Sequence, residues 1–414
     1  MKISLAALFA CMLSLPMAAQ VKTGIDVLEE QNFAPLKELT AKHGGHLRLG
    51  LMTHQAGLDS HQRRTIDVLQ KDAAAAVPGL SLLTLFSPEH GINGVLDRPG
   101  ISDTKDEVSG LPVTSLFGVG DASRRPSAKQ LEGLDAVVID LQDVGVRYYT
   151  FETVVGYFVE AAAANHKELI VLDRPNPIAG VEVQGPLTTP GRENYISYYA
   201  EPVRQGMTMG ELAMFFNGEK HLNASVCVIK MAGWHRADWF DQTGLLWVNP
   251  SPNLRSLTQA IVYPGVGLLE GSNLSVGRGT DTPFVRLGAP WVHGTELAAY
   301  LNARKIAGLS FIPVFFTPEG DPKYPYHGQR CEGVELMVND RNALDGPELG
   351  IEIASAIWKL YRSDFQIDRV DRLLLNKDVL EQVKVGTDPR KIAATWQAEL
   401  QAFVNRRSKY MLYN

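Results

Sequence analysis

The chain has 414 residues, of which 45% are hydrophobic and 21% are charged, and its formal net charge is −6. This is the composition of an ordinary globular protein, and it excludes a disordered or fibrous one. No Lys- or Arg-rich block occurs, so the sequence also argues against a protein that binds nucleic acid. The length predicts two or three domains.

The N-terminus has the pattern of a secretory signal peptide. Lys2 supplies a positive charge, an apolar stretch runs from Leu5 to Leu15, and small residues follow before Gln20. We therefore expect residues 1–19 to be a signal peptide and the mature protein to be periplasmic or secreted. Lipidation at Cys11 is not expected, because this residue lies very early in the chain and Phe9, two residues before it, is bulky. No later segment is apolar for long enough to span a membrane.

Strand-like and helix-like segments alternate in the N-terminal half of the chain. Continuous apolar runs separated by helices favour a parallel sheet built from βαβ units, so we expect an α/β fold. The predicted strands are Leu47–Thr53, Leu80–Phe86, Ala136–Asp140 and Leu169–Asp173, and the predicted helices are His61–Ala75 and Phe151–Asn165.

The pattern is less regular after residue 180. A capping box at Thr208 predicts a helix through Asn217, and a domain boundary is expected between Gly233 and Trp247. Further strands are predicted at Ser225–Met231, Phe311–Phe316 and Val334–Val338, helices at Thr295–Lys305, Pro347–Tyr361 and Pro389–Val404, and loops at Gly180–Val203 and Asn249–Gly279.

Two cysteines remain once the leader is removed, Cys227 and Cys331. They could pair in an oxidising compartment, but we expect both to be buried thiols. Neither lies at a spacing typical of a structural zinc site. The histidines are also scattered, so no metal site is expected.

Polar residues follow each of the four N-terminal strands. In open α/β sheets, ligands bind at the carboxyl ends of the strands, so we expect these side chains to share one cleft. They are Thr53 and His54, then Glu89 and His90, then Asp140 and Asp143, and finally Asp173, Arg174 and Asn176.

Glu89 is the first candidate for chemistry. A partly desolvated carboxyl group keeps its proton near neutral pH and can protonate a leaving oxygen. From position alone, a Glu that caps a helix or pairs with an arginine is the more frequent case. Asp140 or Asp143 could supply the second carboxyl that glycosidic cleavage commonly needs, or both could cap the helix near Phe151 or pair with Arg147.

Several other residues suit a carbohydrate. Tyr148 offers a face for a sugar ring and Arg147 a bidentate partner for a carboxylate, although core packing explains either one equally well. Two later segments carry further polar side chains suited to hydroxyl, amide and carboxylate groups, namely Asn249, Asn253, Glu270, Asn273, Arg278 and Asp281. The glycines near residue 267 have the wrong spacing for a dinucleotide site, and neither a Walker motif nor a G-x-S-x-G elbow occurs, so no cofactor is expected.

A set of motifs that follow one another in order narrows the prediction from a carbohydrate-binding α/β protein to one family. The set comprises GLMTHQAG at 50–57, SPEHG at 87–91, DLQDVGVRYYTF at 140–151, LDRPNP at 172–177, PVRQGMTMGELA at 202–213, NPSPN at 249–253 and LLEGSNLSVGRGTDTPF at 268–284. Together these motifs resemble the NamZ-type exo-β-N-acetylmuramidases, formerly DUF1343, from about residue 22 to the C-terminus. Two small departures are His54 where Asn is expected and Ser87 where Gly is common.

The resemblance implies a Rossmann-like catalytic domain at 22–235 and a smaller α/β domain at 236–414 that completes the cleft. It implies removal of N-acetylmuramic acid from the non-reducing end of peptidoglycan fragments, without a dinucleotide. By motif, Glu89 is the catalytic acid, and Asp140 or Asp143 is its partner.

The substrate's lactyl carboxylate requires an arginine, and Arg147, Arg174 and Arg278 are the candidates within the motifs. The substrate's acetamido group could act as the nucleophile, and a covalent enzyme intermediate or direct attack by water remains equally open. The main alternative function is a non-catalytic protein that binds a muropeptide or another acidic sugar in the same cleft. A deacylase or esterase is a weaker alternative.

Overall fold

The computed structural model describes residues 20–414, so the predicted signal peptide lies outside the described residues. No helix in this part of the chain is long and apolar enough to cross a membrane.

Within residues 20–414, twelve strands form three sheets. The central sheet has the order β3-β4-β2-β1-β5-β6-β9, and every neighbouring pair in it is parallel except β3 with β4. A three-stranded antiparallel sheet has the order β10-β12-β11, and β7 pairs with β8. The strands are β1 Leu47–Thr53, β2 Leu80–Ser87, β3 Thr104–Lys105, β4 Pro112–Ser115, β5 Ala136–Asp140, β6 Glu168–Leu172, β7 Gln184–Leu187, β8 Pro202–Arg204, β9 Ser225–Ile229, β10 Arg286–Ala289, β11 Leu309–Phe316 and β12 Cys331–Val338.

Helices cover both faces of the central sheet. One hydrophobic cluster includes residues of α1, α2 and the segment after β1, and a larger one includes residues of α6 and α7 and continues into the C-terminal helices. The α-helices are α1 Gly24–Glu30, α2 Ala34–Lys42, α3 Thr65–Asp67, α4 Ala74–Ala76, α5 Ala128–Leu131, α6 Phe151–Ala164, α7 Met209–Glu219, α8 Leu257–Val266, α9 Gly294–Ala303, α10 Gly346–Leu360, α11 Asp371–Leu374, α12 Lys377–Lys384, α13 Pro389–Thr395 and α14 Gln397–Arg407.

The structure confirms the α/β class and the four N-terminal strands. The strand order reverses between β1 and β5, because the chain builds outward through β2 on one side and through β6 on the other. Ligand sites of open α/β sheets form at such a point, outside the carboxyl ends of the strands. The residues that follow β1, β2 and β5 are therefore brought to one edge, as the sequence predicted.

Three local predictions were wrong. The loop predicted at 180–203 contains β7 and β8, and the loop predicted at 249–279 contains α8. The helix predicted from residue 61 begins at Thr65 and passes through a π-helical turn. In α8, eight of the ten residues are buried and Pro264 lies inside the helix, so the segment lacks the one-sided apolar pattern by which helices are recognised.

Both remaining cysteines are free thiols. Cys331 is buried at the start of β12, as predicted. Cys227 is exposed instead of buried, because β9 is an edge strand of the central sheet. An edge strand has a neighbour on one side only, and the sequence alone does not reveal which strand lies at the edge.

Candidate active site

A cavity of about 370 Å³ opens beyond the carboxyl end of β2. Its walls come from both halves of the chain. The N-terminal half supplies the segments after β2 and β4 and the start of α6, and the C-terminal half supplies α8 and the segments around residues 251, 270–284 and 372. This volume lies at the lower end of the range for small-molecule sites, so it suits one small ligand or one terminal unit of a larger one.

Glu89 lines this cavity directly after β2. Its carboxylate Oε2 accepts a hydrogen bond of 3.1 Å from the Thr150 hydroxyl. Burial raises the pKa of Glu89 to about 7, against the smaller opposing effects of the Thr150 bond and of the positive charges of Arg278 and Arg124. Glu89 is therefore a carboxyl group that holds a proton near neutral pH while remaining in contact with the cavity.

The backbone is strained around Glu89. His90, Thr150 and Phe284 all line the cavity and have φ angles of 73°, 81° and 64°. Positive φ is unfavourable for residues with a β-carbon, and especially for a β-branched threonine. Strain of this kind persists where the surrounding structure fixes a required geometry, and here it points the Thr150 hydroxyl at Glu89.

Arg278 lies between two carboxylates on the C-terminal wall. Its guanidinium is 2.5 Å from Glu270 Oε1 and 3.1 Å from Asp97 Oδ2. Asp97 also accepts hydrogen bonds from Tyr324 at 2.6 Å and from Asn253 at 2.8 Å. The Arg278 charge is thus already matched by protein groups, and the network ties the loop after β2 to the C-terminal half.

Burial disfavours the charged form of two histidines near the site. Burial lowers the pKa of His90, whose Nδ1 lies 2.8 Å from the carbonyl of Leu96. Burial and the nearby charge of Arg174 lower the pKa of His54 to about 3. The backbone N–H of Gln142 donates to His54 Nε2, which places the ring proton of His54 on Nδ1.

Aromatic side chains form much of the cavity wall. Tyr148, Tyr149, Tyr195 and Tyr263 are all buried there. The Tyr148 hydroxyl donates to the carbonyl of Tyr263 at 2.8 Å, and the two rings meet edge to face with centroids 5.2 Å apart. Sugar rings carry apolar C–H faces, so such walls suit a carbohydrate.

Asp140 does not face this cavity. It is fully buried at the end of β5, and the Arg174 guanidinium binds both of its oxygens, at 2.5 and 2.9 Å. Thr65 donates a further hydrogen bond to Asp140. Asp140 and Arg174 are therefore committed to each other, and Arg174 also donates to the carbonyl of Leu58. Thr53 is buried beside this pair.

Asp143 is the other aspartate after β5, and it retains an uncommitted oxygen. Its Oδ2 accepts the backbone N–H of Gly145 at 2.6 Å, whereas its buried Oδ1 has no hydrogen-bond partner. Burial raises the pKa of Asp143 to about 7. Gly145 has φ of 80°, and a β-carbon there would lie 2.3 Å from Asn176 Oδ1, so this tight turn requires glycine.

Three predicted ligand-binding residues have structural roles. The Arg147 guanidinium is fully buried and donates to four backbone carbonyls, those of residues 186, 201, 373 and 374. Asp173 accepts hydrogen bonds from Thr208 and Gly210 at the start of α7 and from Tyr413 near the C-terminus. Asn176 accepts a hydrogen bond from the backbone N–H of Ile178 in its own loop and donates one to the carbonyl of Met207, just before α7.

The remaining predicted residues lie around the C-terminal wall. The Asn253 side chain donates a hydrogen bond to Asp97, which in turn contacts Arg278. Asn273 forms hydrogen bonds with the backbone of Asp364 and Gln366. The side chains of Asn249 and Asp281 are exposed. Among the predicted site residues, the cavity lining includes Glu89, His90, Tyr148, Glu270 and Arg278.

The sequence did not single out Arg124, Thr150, Tyr195 or Asp97. Thr150 lies within the DLQDVGVRYYTF motif, next to residues that were considered, so its proximity was available as a signal. Arg124 and Tyr195 lie in irregular segments outside the motifs, and only the fold brings them to Glu89. Across residues 20–414, no group of three or more His, Cys, Asp or Glu side chains is arranged to hold a metal ion.

A protonated carboxyl group in a cavity with aromatic walls can deliver its proton to the oxygen of a leaving alcohol, which is the chemistry of glycosidic cleavage. The fold and the cavity thus define a glycosidase built on an α/β sheet. The N-terminal and C-terminal models of the exo-β-N-acetylmuramidase NamZ match residues 49–258 and 261–413. The chain belongs to this family.

Individual proteins of this family are similar to the chain in sequence and in structure. The chain is 36% identical to the peptidoglycan β-N-acetylmuramidase NamZ of Bacillus subtilis (strain 168), over 95% of this chain and 92% of that protein. It is similar to a crystal structure of a DUF1343 family protein from Bacteroides fragilis, with a TM-score of 0.84 and 33% identity over 95% of this chain and 99% of that one. A second such structure from the same organism has a TM-score of 0.74 and 24% identity, over 96% of this chain and 99% of that one.

The two family models meet between residues 258 and 261, near the start of α8. The domain division at 235/236 stays a prediction. The larger hydrophobic cluster contains residues from both halves of the chain, from Met52 to Phe403, so the two halves share one core.

Proposed function

We propose that this protein is an exo-acting glycoside hydrolase that removes N-acetylmuramic acid from the non-reducing end of peptidoglycan fragments. The observation that carries the proposal is the cavity around Glu89, which combines a carboxyl of raised pKa with aromatic walls. The similarity to the Bacillus subtilis enzyme, a peptidoglycan β-N-acetylmuramidase, supports the choice of substrate. A cavity of about 370 Å³ has room for a terminal sugar, which favours exo cleavage.

Glu89 has the role of general acid in this proposal. It donates its proton to the glycosidic oxygen as the C1–O bond breaks, and the leaving sugar departs as an alcohol. Water supplies the hydroxyl that C1 carries in the released sugar. Thr150 holds the carboxyl group in position through its hydroxyl. Neither aspartate after β5 is among the residues that line the cavity. Arg174 binds both oxygens of Asp140, whereas Asp143 has an uncommitted oxygen, so we assign Asp143 as the partner carboxyl.

The experiment is release of nitrophenol from a nitrophenyl β-N-acetylmuraminide by the wild type, by Glu89→Gln and by Glu132→Gln. Glu132 is an exposed glutamate far outside the cavity lining, so its variant is the matched control. We expect activity in the wild type and the control, and a reduced rate in Glu89→Gln. If the wild type binds the glycoside but returns it intact after long incubation, the protein is a binding protein and the proposal fails.

We also propose that the protein acts outside the cytoplasm, where its substrate occurs. The support is the signal-peptide pattern of residues 1–19. Fractionation of cells expressing the full chain should find the protein, shortened by the leader, in the periplasm or medium. Recovery of the uncut chain in the cytoplasm would contradict this part of the proposal.

A further inference from the structure

Arg124 is a cation that lines the cavity and has no Asp or Glu within salt-bridge distance among residues 20–414. It ends a 3-10 helix, Asp121–Arg124, and lines the cavity together with Glu89. Among residues 20–414, no Asp or Glu forms a salt bridge with it, and its buried Nε has no hydrogen-bond partner. A partly buried guanidinium without an anion is costly, and an anionic ligand would remove that cost.

Aromatic rings hold the Arg124 side chain in place. Its Cζ lies 4.1 Å from the centroid of the Tyr195 ring and 4.9 Å from that of Phe117. Both rings also line the cavity. Stacking of this kind orients a guanidinium and leaves its N–H groups free for a planar anion such as a carboxylate.

The other arginines near the site are less suitable for a substrate anion. Arg278 already lies between Glu270 and Asp97, so an incoming carboxylate would meet two like charges. Arg147 and Arg174, which the sequence suggested, are committed to backbone carbonyls and to Asp140. Arg372 lines the cavity as well, but it is exposed, where a charge is better solvated and an ion pair is weaker.

We infer that Arg124 is the receptor for the carboxylate of the substrate's lactyl group, and that it is the residue by which this enzyme distinguishes N-acetylmuramic acid from N-acetylglucosamine. The inference rests on the proposed function. These two sugars differ only in the lactyl ether on O3, which carries the carboxylate. That substituent is separated from the glycosidic bond by the C2 position, so its receptor must share the cavity with Glu89 without touching it. Arg124 meets this requirement, because both residues line the cavity and no hydrogen bond joins them.

The experiment compares kcat/KM for nitrophenyl glycosides of the two sugars in the wild type, Arg124→Gln, Arg124→Lys and Arg125→Gln. Arg125 is the matched control, because it is exposed and already paired with Asp121 and Glu160. We expect Arg124→Gln to lower the preference for the muramic acid glycoside by about 30-fold or more, because it removes one partner of the charge pair with the substrate. Arg124→Lys should restore part of it, and Arg125→Gln should retain the wild-type preference.

The affinity of free N-acetylmuramic acid, measured by calorimetry, provides a second readout that does not depend on turnover. It should weaken in Arg124→Gln, while circular dichroism and the melting temperature show that the variant is folded. An active wild type whose preference and affinity survive Arg124→Gln would overturn this inference. Arg372→Gln is measured in the same way, and a loss found only in that variant would also overturn it. A wild type inactive on the muramic acid glycoside would instead overturn the proposed function, so the two failures are distinguishable.

Discussion

Replacing Glu89 with glutamine should make the protein more stable at alkaline pH while removing most of its activity. Burial raises the pKa of Glu89 from its ordinary value of 4.5 to about 7. The folded protein therefore binds this proton more tightly than the unfolded chain does. The contribution to stability is fully present below about pH 4.5 and is lost as the pH rises through the folded-state value near 7.

The size of this change in stability follows from the pKa shift of Glu89. One pKa unit corresponds to about 1.4 kcal/mol, so the ionised Glu89 costs the fold at most about 3 kcal/mol at pH 8. Glutamine keeps the shape of the side chain and cannot ionise, so the variant escapes this cost. We expect the free energy of unfolding of Glu89→Gln to exceed that of the wild type at pH 8, and to be nearly equal to it at pH 4.5.

Activity should change in the opposite direction. Loss of a general acid typically costs about 100- to 10,000-fold in rate. The loss should be smaller for a nitrophenyl glycoside than for a disaccharide, because nitrophenolate leaves without help from a proton. In the wild type, kcat/KM should decline above about pH 7 as Glu89 loses its proton.

The assays are urea denaturation followed by circular dichroism at pH 4.5, 6 and 8, and initial rates on both substrates. Glu132→Gln again serves as the control, because its side chain is exposed and is not part of the cavity lining. An equal stability difference at pH 4.5 and pH 8, or equal rate losses on the two substrates, would refute the reasoning.

Three further predictions concern the surroundings of the site. Asp140→Asn should lower the free energy of unfolding by about 3 to 5 kcal/mol, measured by denaturation, because it leaves the buried Arg174 without its anion; a change below about 1 kcal/mol would contradict this. Thr150→Gly should preserve or raise the melting temperature, because glycine relieves the backbone strain at this position. Activity should fall, because the hydrogen bond to Glu89 is lost. An unchanged kcat/KM would contradict the positioning role of Thr150. Burial raises the pKa of both Glu152 and Glu201, so the free energy of unfolding should fall as the pH rises through neutrality. Glu152→Gln should make this dependence on pH less steep. Denaturation curves that show the same dependence on pH in the variant and the wild type would contradict this prediction.

The centre of the main sheet could be predicted from the sequence because β1, β5 and β6 are buried on both faces over nearly their whole length. Such strands are read as continuous apolar runs, and the polar residues after them mark the carboxyl edge where ligands bind. The capping box at Thr208 was equally readable, and α7 begins directly after it. In contrast, β7 and β8 are short, and α8 is buried nearly all around, so neither showed a distinctive period.

The roles of single polar residues were harder to predict, because they depend on partners that are distant in the chain. Arg147 and Asp173 looked like ligand-binding residues, but their partners lie as far away as residues 374 and 413. Arg124 shows the reverse case. Arg124 lies outside every motif. Its role became visible only from the Tyr195 ring, 71 positions away in the chain, and from the lack of a salt bridge to Arg124 among residues 20–414.

The account's central claim is that this protein cleaves N-acetylmuramic acid from the non-reducing end with Glu89 as the acid. Mass-spectrometric analysis of the products from two peptidoglycan oligosaccharides, one ending in N-acetylmuramic acid and the other in N-acetylglucosamine, tests it most directly. The account predicts that the wild type releases free N-acetylmuramic acid from the first, leaves the second intact, and loses this release in Glu89→Gln. Internal cleavage of either chain, attack on the N-acetylglucosamine end, or undiminished release by Glu89→Gln would contradict it.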